Sequence, residues 1–270
     1  MCRLTCTNRI LCIHGHGVEN KWWSSSYVKV KKSKSSARSA SYQHYRENID
    51  GMLLHTVVQH CQQAKIRVAE LCSGDGSFAF KLLQESGEDL IESYVLLERN
   101  VQLINASRKR LARWMSSSDN GAGEKEAASR KDIVKHVNMD VCSEEGEHML
   151  RSLDSHPNVW IASGSVLNGQ VGNYYMAASM LGGMAASLHS NRKYNAGAIL
   201  VVTGYTQTFL TPQMLRESGL KIVQGSLPSS EANGLVSGFG RFHMFVLEKD
   251  EGGHREKEDG YLRSIMLGEQ

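Results

Sequence analysis

The run Val68-Ala69-Glu70-Leu71-Cys72-Ser73-Gly74-Asp75-Gly76-Ser77-Phe78 constrains this chain more than any other. An apolar strand sequence ends in a carboxylate and passes through two glycines into a segment that favours helix. Gly74 and Gly76 lack a Cβ, so the backbone there can take positive φ and come close to a ligand. A helix starting near Ser77 points its unpaired N–H groups at the same place. Strand, glycine turn and helix in this order predict an open α/β sheet with a nucleotide-type ligand at the carboxyl ends of its strands.

The rest of the chain repeats the alternation. Ile66–Leu71 reads as the first strand, with a helix from Ser77 to about Glu85. Ser93–Leu97 is the second strand and Val101–Met115 its helix. Ile133–Val137, Asn158–Ala162 and Gly197–Thr203 follow as third, fourth and fifth strands, with a helix from Asn173 to Ser190 before the fifth. Thr211 and Pro212 cap and open another helix. Leu220–Gly225 and Phe242–Leu247 are the sixth and seventh strands. Strands alternating with helices build a parallel sheet covered on both faces. No helix separates the last two strands, so they pair antiparallel, because parallel neighbours need a crossover of a dozen or more residues. The predicted fold is α/β: a doubly wound seven-stranded sheet, mostly parallel with an antiparallel last strand, helices on both faces. Gly182 and Gly183 fall inside a predicted helix, where glycine costs about 1 kcal/mol against alanine, so they predict close packing or a bend.

Three segments organise the chain. Residues 1–40 form a basic, Ser/Lys-rich flexible N-terminal extension, 41–249 the α/β domain, and 250–270 a charged C-terminal tail. Too few apolar residues occur in the extension to offset ordering. Its alternative role is an electrostatic arm for nucleic acid or anionic lipid, with Trp22, Trp23 and Tyr27 as stacking faces. From Tyr42 to about Gln63 the apolar spacing predicts a leading amphipathic helix that covers an edge of the sheet. Tyr42, Tyr45 and Arg46 could instead line the ligand.

Two ligand classes use a glycine turn of this kind. Gly74 to Ala79 also fits Gly-x-Gly-x-x-Ala, a dinucleotide fingerprint. Glu70 argues against a pyrophosphate, which it would meet with like charge, and suits an ammonium or sulfonium group. Glu98, about 20 residues after the turn at the tip of the second strand, is placed to accept hydrogen bonds from two ribose hydroxyls.

With Glu70, Gly74 and Gly76 in place, the sequence resembles the class I S-adenosylmethionine-dependent methyltransferases, whose first motif runs Glu/Asp-x-Gly-x-Gly-x-Gly. Cys72 stands at the motif's first glycine. The resemblance spans residues 45 to 249 and implies S-adenosyl-L-methionine as cofactor. It implies contacts from Glu70, Cys72, Ser73, Gly74, Asp75, Gly76 and Phe78 in the turn. Further contacts are implied from Glu98 and Arg99 after the second strand, Asp140 and Val141 after the third, and Ser163 after the fourth. For Asp140 an adenine contact and helix capping stand as equal alternatives. The segment Ser163-Gly164-Ser165-Val166-Leu167-Asn168 lacks the Asp/Asn-Pro-Pro-Tyr pattern of enzymes acting on base amines, and no cysteine follows a proline as in cytosine C5 enzymes. A small molecule or protein is therefore favoured as acceptor over a nucleic acid base. Tyr174 and Tyr175 could touch it.

Composition excludes several other classes. The chain has 270 residues, 41% apolar and 22% charged, which is globular rather than fibrous or disordered. A formal net charge of +3 carries no nucleic-acid footprint by itself. No apolar stretch approaches the roughly 20 residues of a membrane helix. The apolar run Ile10–Ile13 is shorter than a secretory core, so the expected location is cytoplasmic. Six cysteines form no Cys-x-x-Cys pair, and the spacing of Cys2, Cys6, Cys12, His14 and His16 matches no standard zinc knuckle, so no metal is expected. His44, His189, His243 and Tyr205 are possible bases, but none has a motif around it and no catalytic residue is assigned. Two other functions use the same turn: an NAD(P)-dependent oxidoreductase, and a catalytically inactive binding protein on the methyltransferase fold.

Overall fold

The computed structural model describes residues 49–60, 65–116, 132–163, 174–189, 197–204, 211–226 and 243–250. The chain divides into two units, Met1–Ile49 and Asp50–Gln270. Of the first unit only Ile49 is among the described residues. The N-terminal extension, Tyr42, His44, Tyr45, Arg46, Tyr205, Gly164 to Asn168 and the tail beyond Asp250 lie outside them, as do the cysteines and histidines near the N-terminus.

Elements of the second unit follow the predicted order. Helix α1 covers 50–60 within it. Then come β1 (Ile66–Leu71), α2 (Ser77–Leu90), β2 (Ile91–Glu98), α3 (Val101–Ser116), β3 (Val134–Asn138), α4 (Glu144–Arg151), β4 (Val159–Ser163), α5 (Tyr174–Ser187), β5 (Ile199–Gly204), α6 (Pro212–Ser218), β6 (Leu220–Ser226) and β7 (His243–Lys249). Thr211 caps α6 as its sequence predicts, its side chain accepting from Met214 N at 3.1 Å. Helix α2 passes Gly87 and ends five residues later than expected, directly against β2. One helical glycine costs about 1 kcal/mol, too little to stop a helix whose apolar face is packed.

The strands form one sheet in the order β3-β2-β1-β4-β5-β7-β6. Pairs from β3 through β5 are parallel, and β7 runs antiparallel to both β5 and β6. The reversed strand is therefore last in sequence but lies inside the sheet, and β6 takes the edge. The chain winds outward from β1 to β3 and then returns to β4 beside β1. That reversal is a topological switch point, where the loops at the carboxyl ends part and leave room for a ligand.

Alternation along the strands gives each face its own core. Ala69, Leu71, Val95, Leu97, Trp160, Ala162, Leu200, Val202, Phe245 and Leu247 pack with Leu150 of α4, Leu181 and Met184 of α5 and Leu215 of α6. The opposite face carries Val68, Glu70, Tyr94, Leu96 and Glu98, and is covered by α2 and α3, with α1 at its far end, where Thr56 meets Met244. The glycine pair of α5 serves close packing. A Cβ on Gly183 would stand 2.9 Å from Leu150 Cβ of α4. Gly183→Ala is expected to lower stability by about 1–2 kcal/mol, overpacking outweighing the gain in helix propensity. A urea midpoint that rises instead would contradict this packing.

Candidate functional site

The turn after β1 is built from left-handed residues. Cys72, Gly74 and Gly76 take φ of 54°, 62° and 68°. Glycine does this freely, whereas a cysteine with positive φ costs about 1–2 kcal/mol and must be held by its surroundings. Ser73 N–H donates to Leu97 O at 3.1 Å, and Gly76 N–H to Ser73 O at 3.2 Å. Gly76 is the N-cap of α2 and offers no side-chain cap. A Cβ there would fall 2.2 Å from Ser107 Oγ of α3, so the absence of a side chain lets two helices meet under the turn. Ser107 Oγ in turn meets His136 Nε2 of β3 at 2.9 Å. Burial, then the charge of Arg108, lowers the pKa of His136, so this imidazole favours its neutral form.

Glu98 joins the turn to the second strand. Its Oε2 accepts from Gly74 N–H at 2.9 Å, and its Oε1 accepts from Asn100 N–H at 2.9 Å. A carboxylate can accept about four hydrogen bonds, two at each oxygen, so both oxygens keep capacity for another donor. Glu98 is buried, with 9% exposure. Asn138 Nδ2 donates to the carbonyls of Glu98 and Arg99 at 3.1 and 2.9 Å, tying the ends of β2 and β3 together.

Glu70 lies deeper, at 2% exposure, and accepts a hydrogen bond from Tyr94 Oη at 2.7 Å. It pairs in register with Leu96, two residues before Glu98, so both carboxylates leave the same face of neighbouring strands. Cys72 between them is exposed, yet its thiol is held above its ordinary pKa, first by desolvation and then by the Glu98 charge. The residue stands at the switch point, where the loops at the carboxyl ends of the strands part to form a cleft. Cys142, Arg99 and Asp140 also act on this thiol, so the ends of β1, β2 and β3 lie near one another. Since the thiolate is the reactive form, Cys72 is expected to alkylate more slowly with iodoacetamide at pH 8 than a free thiol, despite its exposure. Peptide mapping by mass spectrometry measures the rate, and a rate equal to that of free cysteine would contradict the crowding.

Other predicted residues are placed as follows. Asp75 is buried and turned toward α3, its Oδ2 2.9 Å from the Arg110 guanidinium. Phe78 is wholly buried, so of this residue only the backbone can face the cleft. Arg99 and Asp140 form an exposed ion pair at 3.6 Å, a geometry that contributes about 0–1 kcal/mol. Asp140 Oδ1 accepts from Cys142 N–H, while the N-cap of α4 is Ser143, which accepts from Gly146 N–H. Val141 is half-buried beside the lower core. Ser163, at the tip of β4, meets Thr203 Oγ1 at 3.3 Å. His189 is exposed beyond the end of α5, its ring 5.0 Å from that of His156. Sequence reading gave no role to Tyr94, Arg110 or Ser107, and placed Asn138 only as the residue after the third strand. Arg110 carried some signal, as a charged residue inside an apolar-periodic segment, and Tyr94 looked like an ordinary core aromatic.

No protein-family model and no curated protein matches the sequence. Solved structures do match in fold. Magnesium protoporphyrin IX methyltransferase from Synechocystis PCC 6803, crystallised with bound SAH, superposes with a TM-score of 0.59 over 88% of this chain and 99% of that one, at 8% identity. The same enzyme with bound SAM gives 0.56 over 83% and 89%, at 9% identity. N-methyltransferase NodS from Bradyrhizobium japonicum WM9 gives 0.50 over 77% and 97%, at 10% identity. The protein is thus a doubly wound α/β protein with a glycine turn at its switch point. More narrowly, it has the fold of the class I methyltransferases. No described helix is long and apolar enough to cross a membrane.

Proposed function

We propose that this protein is an S-adenosylmethionine-dependent methyltransferase acting on a small molecule or a protein. The observation that carries the proposal is the 2.9 Å bond between Gly74 N–H and Glu98 Oε2, because it joins the glycine turn to an acidic strand tip that keeps acceptor capacity for a sugar. The donor set fits this cofactor. Unused lone pairs on Glu98 suit ribose hydroxyls, the glycines allow close approach, and Glu70 suits a cationic end. A pyrophosphate would place its charges against Glu70, which speaks against a nicotinamide nucleotide.

The bound cofactor supplies an electrophilic methyl carbon. Glu98, with Gly74 and Asn100 fixing its two oxygens, would hold and orient the sugar. Cys72, exposed at the switch point, would lie against the ligand and exclude water from beneath it, while Asp140 and Val141 would border the base. Catalysis of this kind rests on alignment and dehydration and needs no strong acid or base from the chain. A cytoplasmic location belongs to the same proposal.

Isothermal calorimetry with adenosylhomocysteine tests the reading. Saturable binding is expected, and at a hundred times Kd the ligand raises stability by about 2.7 kcal/mol, visible as a higher Tm. Stabilisation by NAD but not by adenosylhomocysteine would assign the turn to an oxidoreductase instead. Binding without methyl transfer to any acceptor would leave a binding protein on this fold.

A further inference from the structure

Tyr94 is hydrogen-bonded to Glu70. It lies within β2, wholly buried, and its O–H donates to Glu70 Oε2 at 2.7 Å. It pairs in register with Val68, two residues before Glu70 on β1, so both side chains leave the sheet on the face that bears α2 and α3. Phenylalanine would fill nearly the same volume, so it is the hydroxyl that calls for a purpose. Desolvation, then Glu70 and then Asp50 of α1, hold the phenol pKa well above its ordinary value. The phenol is therefore a hydrogen-bond donor throughout the physiological range.

We propose that Tyr94 is a positioning residue, whose hydroxyl fixes the Glu70 carboxylate in one orientation beneath the glycine turn, under the cationic end of the cofactor. The proposal rests on the reading that adenosylmethionine occupies the cleft. An O–H bond to a carboxylate oxygen is short and directional, so it holds the Glu70 side chain in one arrangement. Burial does not isolate the charge, because its field reaches a cation a few ångströms away more strongly through protein than through water. Being wholly buried, Tyr94 would itself touch neither the cofactor nor the reacting atoms.

Two probes separate this role from a structural one. Adenosylhomocysteine carries the ammonium-bearing amino acid end, whereas 5′-methylthioadenosine keeps the base and sugar without it. Tyr94→Phe is expected to weaken adenosylhomocysteine about tenfold and methylthioadenosine by less than about twofold. Glu70→Gln should show the same selectivity, and adding Tyr94→Phe to it should change little further, since the two act as one unit. If Tyr94→Phe weakens both probes by the same factor, or neither, Tyr94 is a core residue only and the proposal fails. Should its Tm fall while the ratio of the two affinities is unchanged, the same conclusion follows. If the wild-type protein binds neither probe, the methyltransferase reading fails and the positioning role falls with it.

Discussion

Glu98→Ala is expected to reduce the affinity for adenosylhomocysteine by about 10²–10³-fold, the loss of two hydrogen bonds from sugar hydroxyls to a charged acceptor. The same substitution strips Gly74 N–H and Asn100 N–H of their acceptor, so the turn loosens as well. We expect a stability loss of about 1–3 kcal/mol beside the loss of affinity. Glu98→Gln keeps one acceptor oxygen and is expected to fall between the wild type and alanine. Calorimetry on the three proteins measures the series. Equal affinities across it would remove Glu98 from the site.

Gly76→Ala is expected to have the largest effect on folding. Its φ of 68° penalises any Cβ, and that Cβ would stand 2.2 Å from Ser107 Oγ and 3.0 Å from Ser107 Cβ. The left-handed conformation costs about 1–2 kcal/mol and overpacking about 1–3 kcal/mol, giving a loss of about 2–5 kcal/mol in denaturant unfolding. Ser107→Ala in the same chain should restore part of it by removing the nearer atom, and the φ cost should remain. A Gly76→Ala protein as stable as the wild type would mean that the two helices do not meet at this point.

Much of the fold was legible because its signals are local. Val68 to Gly76 carries strand, turn and cap in a single run, and β1 starts and stops where the apolar pattern does. The reversed final strand followed from the missing crossover before it. Its insertion between β5 and β6 was not legible, because strand order depends on contacts between residues far apart in sequence. Helix α2 outran its predicted end because packing against the sheet outweighed one glycine.

The candidate site divides along the same line. Glu70 and Glu98 were visible by spacing from the turn, and the register puts them on one face. Their partners were not visible. Nothing near Asp75 announces that its carboxylate meets Arg110, 35 residues on, and nothing near Glu70 announces the Tyr94 hydroxyl on the next strand. Polar pairing across strands and helices is decided by tertiary geometry, which a single turn of sequence does not encode. Tyr174 and Tyr175 open α5; their side chains, like the segment after β4, lie outside the described residues.

The central claim is that a nucleoside with a cationic end lies across the tips of β1 and β2. A crystal structure with adenosylhomocysteine tests it most directly. The sugar hydroxyls are predicted within hydrogen-bonding distance of Glu98, with the adenosine over Cys72 and the amino acid end toward Glu70. Ligand density anywhere else, or a sugar that makes no contact with Glu98, would contradict it.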